Sequence, residues 1–279
     1  PLERPENVTK DLYTPEEALA VVKRAAERER EQTTPGTVAD VHYDFSQFGL
    51  DRSQSPFARN LRTSLIVNPE NGKLPPVTAE GRKRAADRAE AAKRLGGRWD
   101  SAESNQLDDR CLIMAGAGPP MLDAGYNSNY QIVQAPGYVM ILTEMIHDVR
   151  IIPLDGRPQP HANIRQWMGI SRGRWDGNTL VVETTNFNGK NPLRGASENV
   201  QVTERFTRVA DEAILYRFTV DDASTWARPW TAEMPMLKTK GPLFEHACHE
   251  GNYGLFNTLV GARLEDEQAA EAAAKKGAK

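Results

Sequence analysis

Long hydrophobic runs and a strong excess of either charge are both missing from this sequence. No apolar run among its 279 residues approaches the roughly 20 residues that a membrane-spanning helix requires, so no span is predicted. The formal net charge is −3 and the pI is near 6.0, which leaves no long-range field to attract nucleic acid or an anionic membrane surface. Nucleic acid is therefore excluded from the expected partners.

Cysteine is scarce as well, since the chain has only Cys111 and Cys248. In an oxidising compartment this pair could close a long loop, which stabilises a fold by roughly 4 to 5 kcal/mol in the chain-entropy model. Two separate buried thiols are the alternative. The first residue is Pro1 and not Met, which fits either an exported protein after removal of its leader or a trimmed chain. We expect a periplasmic or secreted protein.

Strand signals are densest in the middle of the chain. Apolar or alternating runs there cover residues 130–134, 138–145, 149–154 and 174–185. The first three are separated by Ala-Pro-Gly and by Ile-His-Asp, which predicts antiparallel strands with short connections. Within the fourth, Asp176-Gly177-Asn178 predicts a tight hairpin turn, because Gly and Asn tolerate positive φ.

Helices and further strands surround this centre. Strands are predicted over residues 61–67, 200–208, 213–220, 226–236 and 243–248, the last as the closing strand, and helices over residues 15–32, 79–95 and from 255 onward. Thr14 to Glu17 form a capping box for the first helix, and Thr78 caps the second. The resulting division is an N-terminal arm and helix (1–60), a β domain with an inserted helix near 79–95 (61–254) and a C-terminal helical tail (255–279).

The fold class follows from the order of these elements. Strands joined by short turns, with helices flanking them and not alternating with them, argue against a parallel α/β sheet. A mainly β fold, an antiparallel closed or nearly closed barrel with flanking helices, is therefore predicted. A two-sheet β-sandwich is the alternative.

Four runs carry a resemblance to a known family. The runs RIIPLDGRP, SRGRWDGNTLVVETTNF, ENVQVTERFTR and RPWTAEMPM resemble an exported protein family abundant in soil bacteria, over most of residues 61–261. The resemblance implies export and a common fold, and no catalytic role carries over from it. The segment GRWDGNTLVVE is also similar to lipocalin-type barrels, as any hairpin with a Gly-Asn turn is.

Titratable side chains concentrate after the second central strand. Glu144, His147, Asp148 and Arg150 lie within seven residues of one another. A carboxylate beside an imidazole can orient it and raise its pKa, which makes an acid–base pair that works near neutral pH. A polar turn with a salt bridge to Arg150 is the alternative. Glu144 and His147 can share a site only if the chain bends at Ile146, because strand residues three apart face opposite sides.

A second cluster stands in FEHACHEGNYG near the predicted end of the β domain. It contains Glu245, His246, Cys248, His249 and Glu250. The spacing matches no established metal motif, so no metal ligands are assigned and no cofactor is identified. We expect His249 or Glu250 to meet His147 at the rim of the barrel.

A third set combines arginine with aromatic residues. Its candidate substrate-binding members are Tyr126, Arg165, Trp167, Arg172 and Trp175. Arg and Trp suit recognition of a carboxylate, phosphate or sugar ring, although tryptophans in a β fold are more often core. Glu204 and Arg205, and likewise Glu183 and Asn186, are interpreted as cross-strand pairs on a solvated face.

Three functional hypotheses remain open at this point. The first is an exported hydrolase or lyase that acts on a small molecule, with His147 as base, Asp148 orienting it, Glu144, His249 and Glu250 as further catalytic candidates, and Arg172 holding an anion. The second is a barrel that binds a small ligand without changing it. The third is a subunit that associates with copies of itself through its N-terminal arm.

Overall fold

The structure is a computed structural model that describes residues 1–29, 60–97, 99–114, 116–122, 127–191 and 193–277. The loop predicted over residues 37–60 lies outside this part except for residue 60. Tyr126 lies outside it too, as do residues 30–32 of the first predicted helix.

Nine strands and three helices are the main elements of the described ranges. They are α1 (Pro15–Glu29), β1 (Ile66–Asn68), α2 (Ala79–Arg94), β2 (Tyr130–Ala135), β3 (Tyr138–Thr143), β4 (Val149–Pro153), β5 (Ile170–Asp176), β6 (Thr179–Thr185), β7 (Gln201–Ala210), β8 (Ala213–Asp221), β9 (Trp230–Leu237) and α3 (Tyr253–Gly277). Six strands form a large antiparallel sheet in the order β1-β9-β8-β7-β6-β5, and three form a small antiparallel sheet in the order β2-β3-β4.

The two sheets share one buried core. Val139, Ile141 and Ile152 of the small sheet are at most 1% exposed, and they belong to the same cluster as Val202 and Phe218 of the large sheet. No closed barrel forms in the described part of the chain, because β4 and β5 are both edge strands and do not pair with each other. The predicted barrel is therefore wrong, and the two sheets agree with the sandwich alternative.

The stretch expected to close the barrel is irregular. Phe244 N–H donates to the side chain of Glu144 (3.0 Å), and Cys248 N–H donates to the carbonyl of His246 (2.9 Å). Backbone groups that bond to a side chain or within a local turn are not available for a ladder with a neighbouring strand. The prediction of a strand over residues 243–248 is therefore wrong, and we call residues 243–252 the strap.

Turn and cap signals are confirmed. Asp176 pairs with Thr179 across the β5–β6 hairpin, and Gly177 has φ +58°. The Thr78 hydroxyl accepts a hydrogen bond from Gly81 N–H at the start of α2 (3.0 Å). These residues set the ends of their elements through local backbone geometry, which is why a short stretch of sequence is enough to predict them.

The N-terminal arm, residues 1–13, lies along its own chain. Ile66 N–H donates to the carbonyl of Leu2 (3.2 Å), and Thr63 N–H donates to the carbonyl of Asp11 (2.9 Å). Among the described helices, none is both long enough and apolar enough to pass through a membrane.

Candidate functional site

The candidate site is a groove where an edge of the small sheet approaches an edge of the large sheet. Its volume is about 530 Å³, within the range of roughly 300 to 1,000 Å³ that small-molecule sites occupy. Its walls come from the segment after Cys111, from β4, from the loop before β5 and from the start of β5. The lining residues are Leu112, Ile113, Asp148, Val149, Arg150, Ile151, Arg165, Gln166, Trp167, Met168, Gly169, Ile170, Ser171 and Asn188.

Among the titratable side chains that line this groove, Asp148 is the one whose charge is least offset by hydrogen bonds and opposite charges. It lies immediately before β4, where its carbonyl accepts a hydrogen bond from Thr143 N–H (2.8 Å). Its Oδ2 is buried and has no hydrogen-bond partner among the described residues. Burial raises the pKa of the Asp148 carboxyl above its ordinary value, and the nearby His147 only partly opposes this shift. Asp148 therefore holds a proton more readily than an exposed aspartate does.

A sharp bend precedes Asp148. Ile146 and His147 have φ of 57° and 46°, so two consecutive residues other than glycine are in the left-handed region. This conformation is costly for a β-branched residue and persists only where the surroundings enforce it. Ile146 is only 5% exposed, so burial of its side chain is one such constraint. The bend at Ile146 that a shared site requires is present.

The bend nevertheless directs Glu144 into a structural role. Glu144 is only 2% exposed. Its two carboxylate oxygens accept hydrogen bonds from Asn129 Nδ2 (2.7 Å) and from Phe244 N–H (3.0 Å). Glu144 does not line the groove, and its carboxylate joins the start of β2 to the strap.

The strap passes next to His147. Cys248 forms a disulfide with Cys111, with the two Cα atoms 5.7 Å apart, which confirms the predicted pairing. His147 is exposed, and its Nδ1 lies 3.2 Å from the carbonyl oxygen of His246, to which the Nδ1–H tautomer donates.

The predicted partners of His147 follow the disulfide on this strap. His249 and Glu250 are both exposed, and neither lines the groove. The contact that the structure places at His147 is with the backbone of His246, so a pocket shared by His147 and His249 stays a prediction. Among the described residues, no three or more His, Cys, Asp or Glu side chains are grouped so that they could hold a metal ion.

A buried polar network forms the floor beneath the groove. Arg150 is 4% exposed and Glu204 is fully buried, and their side chains form a two-pronged ion pair. Arg150 Nη2 also donates to Ser171 Oγ (3.3 Å), and the Tyr216 hydroxyl donates to Glu204 Oε1 (2.7 Å). Burial raises the pKa of the Tyr216 hydroxyl well above its ordinary value, and the Glu204 carboxylate raises it further. The guanidinium that lines the groove is therefore neutralised by a carboxylate behind it.

The interpretation of Glu204 as a member of a solvated cross-strand pair is wrong. Glu204 alternates with Val202 and Phe206, both of which are buried, so it lies on the core face of β7. Arg205 lies on the opposite face and forms a salt bridge with Asp176 (2.7 Å). The alternation of Glu204 with apolar residues is the sequence signal that indicates a position on the core face.

Two of the arginine and tryptophan candidates reach the groove. Arg165 and Trp167 line it. The guanidinium of Arg165 donates to the carbonyl of Phe187 (3.0 Å), and the Lys190 ammonium lies 5.9 Å from the centre of the Trp167 ring. Both side chains are therefore partly held by the protein itself.

The remaining candidates are placed elsewhere. Arg172 donates to the carbonyls of Ser171 (2.8 Å) and Pro158 and does not line the groove. Trp175 is 48% exposed near the tip of the β5–β6 hairpin. The structure thus brings Asp148, Arg165 and Trp167 together, and the sequence analysis missed the groove wall formed by Leu112 and Ile113.

Comparisons of the chain with protein-family models, with curated proteins and with solved structures give no match.

Proposed function

We propose that this chain is an exported enzyme, a hydrolase or lyase, that acts on a small molecule bound in the groove and uses Asp148 as its acid–base group. The observation that carries the proposal is the Asp148 carboxyl, which lines the groove, has a raised pKa and has a buried oxygen without a hydrogen-bond partner among the residues that the structure describes. A general acid or base works best when its pKa is near the operating pH, and desolvation is the usual way to raise that of a carboxyl.

The neighbouring groups support a division of roles. The neutralised Arg150 and the bonded Arg165 hold the walls of the groove in place. His147 does not itself line the groove, but it is exposed and next to Asp148 in the chain, so it is the candidate for the second proton-transfer group. In this proposal Asp148 touches the substrate directly, whereas the sequence predicts only that it orients His147.

Export is supported by the disulfide. A covalent Cys111–Cys248 bond persists in oxidising compartments and is rare in the cytosol. We therefore assign the protein to the periplasm or to the extracellular space.

The test is a panel of chromogenic p-nitrophenyl esters, phosphates and glycosides, assayed with the wild type, Asp148→Asn and Asp155→Asn. Asp155 is the matched control because it does not line the groove and is paired with Arg157, which lowers the pKa of its carboxyl to about 2. We expect turnover of at least one substrate, loss of roughly 100-fold or more in Asp148→Asn, and no loss in Asp155→Asn. Equal turnover by the wild type and Asp148→Asn would contradict the proposal.

Binding without catalysis is the second candidate. It is favoured by the state of the two guanidiniums of the groove, because Arg150 and Arg165 already bond to protein groups and neither is free to stabilise developing charge. Absence of turnover across the panel, combined with a small molecule that raises the melting temperature of the wild type and not that of Asp148→Asn, would favour this candidate.

Self-association through the N-terminal arm has less support. The backbone of the arm bonds to residues 61–72 of the same chain, so the arm would have to leave these partners to reach a neighbour.

A further inference from the structure

The groove exposes an unpaired strand edge. β4 pairs with β3 on one side, and on the other side it has no neighbour among the strands that the structure describes. The carbonyl of Asp148 and the N–H of Leu154 both bond toward β3. Residues two apart along a strand direct their backbone groups to the same side, so Arg150 and Ile152 also bond toward β3. Val149 and Ile151 therefore present their N–H and C=O groups to the groove.

The free edge is short and its ends are defined. Pro153 is the next residue in phase with Val149 and Ile151, and it has no N–H to offer. Beyond it the groove is closed by β5, because a Cβ added at Gly173 would lie 2.8 Å from Ile152 and 2.7 Å from Leu154. Two residues with one donor and one acceptor each can form up to four backbone hydrogen bonds, which matches an extended segment of about three residues.

The facing edge of β5 is already occupied at one position. Asp176 pairs with Thr179 across a two-residue turn, and consecutive strand residues direct their backbone groups to opposite sides, so Ile170 bonds toward β6 and Ser171 faces outward. The outward carbonyl of Ser171 accepts a hydrogen bond from Arg172 Nη1 (2.8 Å). We therefore take β4 as the edge at which a ligand adds a strand.

The side chains around this edge indicate which side chains a bound segment should have. Leu112 is 37%, Val149 45% and Ile151 63% exposed, and all three line the groove. Within the described part of the chain, Asp148 has a buried oxygen without a hydrogen-bond partner, whereas Arg150 is paired with Glu204 and Arg165 with Glu198. Apolar side chains of a ligand can pack against Leu112, Val149 and Ile151, and a basic side chain can pair with Asp148.

We propose that the groove takes an extended peptide segment, which adds as a strand to the free edge of β4 at Val149 and Ile151 and places a basic side chain against Asp148. The inference rests on the proposed function in that it assigns a ligand class to the same groove. Strand addition is a recognised mode of peptide binding in which the main chain supplies affinity and alternate side chains supply specificity.

The test is calorimetric titration of the full chain with the blocked peptide acetyl-Thr-Val-Lys-Val-amide. Two comparison peptides are used, one N-methylated at its backbone amides and one with Glu in place of Lys. We expect saturable binding of the first peptide and affinities at least about threefold weaker for both others, which is the size of effect that one lost hydrogen bond produces. Equal affinities of the methylated and unmethylated peptides, or no binding of any peptide, would overturn the inference.

Protein variants provide an independent arm. Val149→Pro removes one outward N–H, and the preceding Asp148 has φ −66° and ψ 141°, which a following proline allows. Gln134→Pro is the matched control at the opposite edge of the same sheet, where the β2–β3 pairing directs residue 134 outward. Circular dichroism checks that both variants fold. We expect roughly 3- to 10-fold weaker peptide binding in Val149→Pro and none of this loss in Gln134→Pro; equal effects would overturn the inference.

The two proposals fail separately. If no peptide binds while Asp148→Asn still abolishes turnover of a p-nitrophenyl substrate, the peptide inference falls and the proposed function stands. If the peptide binds as expected while the wild type turns over no substrate, the enzyme proposal falls and the peptide inference stands.

Discussion

At the scale of single residues, the carboxylates of Glu204 and Asp148 are both withdrawn from solvent, to different degrees. Glu204 is fully buried, and Arg150, Tyr216 and their hydrogen bonds compensate its charge. Asp148 is half-buried, and its Oδ2 has no partner in the described ranges. The first is expected to stabilise the fold, and the second to be held at some cost for a role in the groove.

Glu204→Gln should be strongly destabilising. The substitution leaves the guanidinium of Arg150 buried without a counter-charge, which costs about 3 to 5 kcal/mol. Glu183→Gln is the matched control, because its pair with Arg174 is solvent-exposed and such pairs are worth about 0 to 1 kcal/mol. Urea unfolding of both variants measures the difference, and similar midpoints for the two would contradict the assigned role of the network.

Asp148→Asn should stabilise the protein at neutral pH. Because the pKa of Asp148 is raised in the folded state, the folded protein binds a proton more tightly than the unfolded chain does. The ionised carboxyl therefore lowers stability above the folded pKa, and this penalty disappears as the pH falls below the ordinary value of 3.8. Melting temperatures should favour the variant at pH 7 and converge near that lower limit. A variant that is less stable than the wild type at pH 7 would argue against a desolvated carboxyl.

At the scale of elements, the β5–β6 hairpin and the strap show two ways of fixing chain direction. The hairpin uses a local backbone conformation at Gly177, and the strap uses a covalent bond between residues 137 positions apart. The hairpin can be predicted from the three residues Asp176-Gly177-Asn178. The strap requires that two distant segments meet, which no local pattern determines.

Gly177→Val should destabilise the protein by more than about 1 kcal/mol. Nothing lies within 4 Å of a Cβ added at this position, so the cost comes from the positive φ and not from a clash. Gly177→Asn is the control, since asparagine tolerates the left-handed region. Thermal melts in which both variants match the wild type would show that the turn does not constrain the hairpin.

Loss of the disulfide should release the strap. The double substitution Cys111→Ser/Cys248→Ser removes a cross-link worth up to roughly 5 kcal/mol in the chain-entropy model. We expect a lower unfolding midpoint in urea, and the reduced wild type should unfold at the same midpoint as the double variant. Alkylation of the unreduced wild type in denaturant should label neither cysteine by mass spectrometry. Labelling of both would contradict the pairing.

At the scale of the whole molecule, the sequence predicts elements better than it predicts their assembly. Strands β2, β3 and β4 and the β5–β6 hairpin follow from alternation and from turn residues, which act over a few positions. Whether the sheet closes depends on what residues 243–248 bond to, and their backbone bonds to the Glu144 side chain and to a local turn. The barrel prediction was wrong because the contact between Phe244 and Glu144 joins residues 100 positions apart, and no local pattern of sequence determines it.

The candidate site could be predicted only in part for the same reason. Asp148, Arg165 and Trp167 were selected from residue type and position near strand ends, and all three line the groove. The groove itself arises because β4 and β5 do not pair with each other, and this depends on the packing of two sheets and not on any motif. Val149 and Ile151 present backbone N–H and C=O groups to the groove, and a pattern of side chains does not predict which backbone groups are free.

The ionisation of Asp148 in the folded chain decides whether this carboxyl can act as the acid–base group of the groove. A ¹³C NMR titration of aspartate side-chain carboxyls, with the resonance assigned by its loss in Asp148→Asn, measures the pKa of this group. The account predicts a midpoint clearly above 3.8, because burial disfavours the charged form. A midpoint at or below that value would show a solvated or ion-paired carboxylate and would contradict the role of Asp148 in the groove.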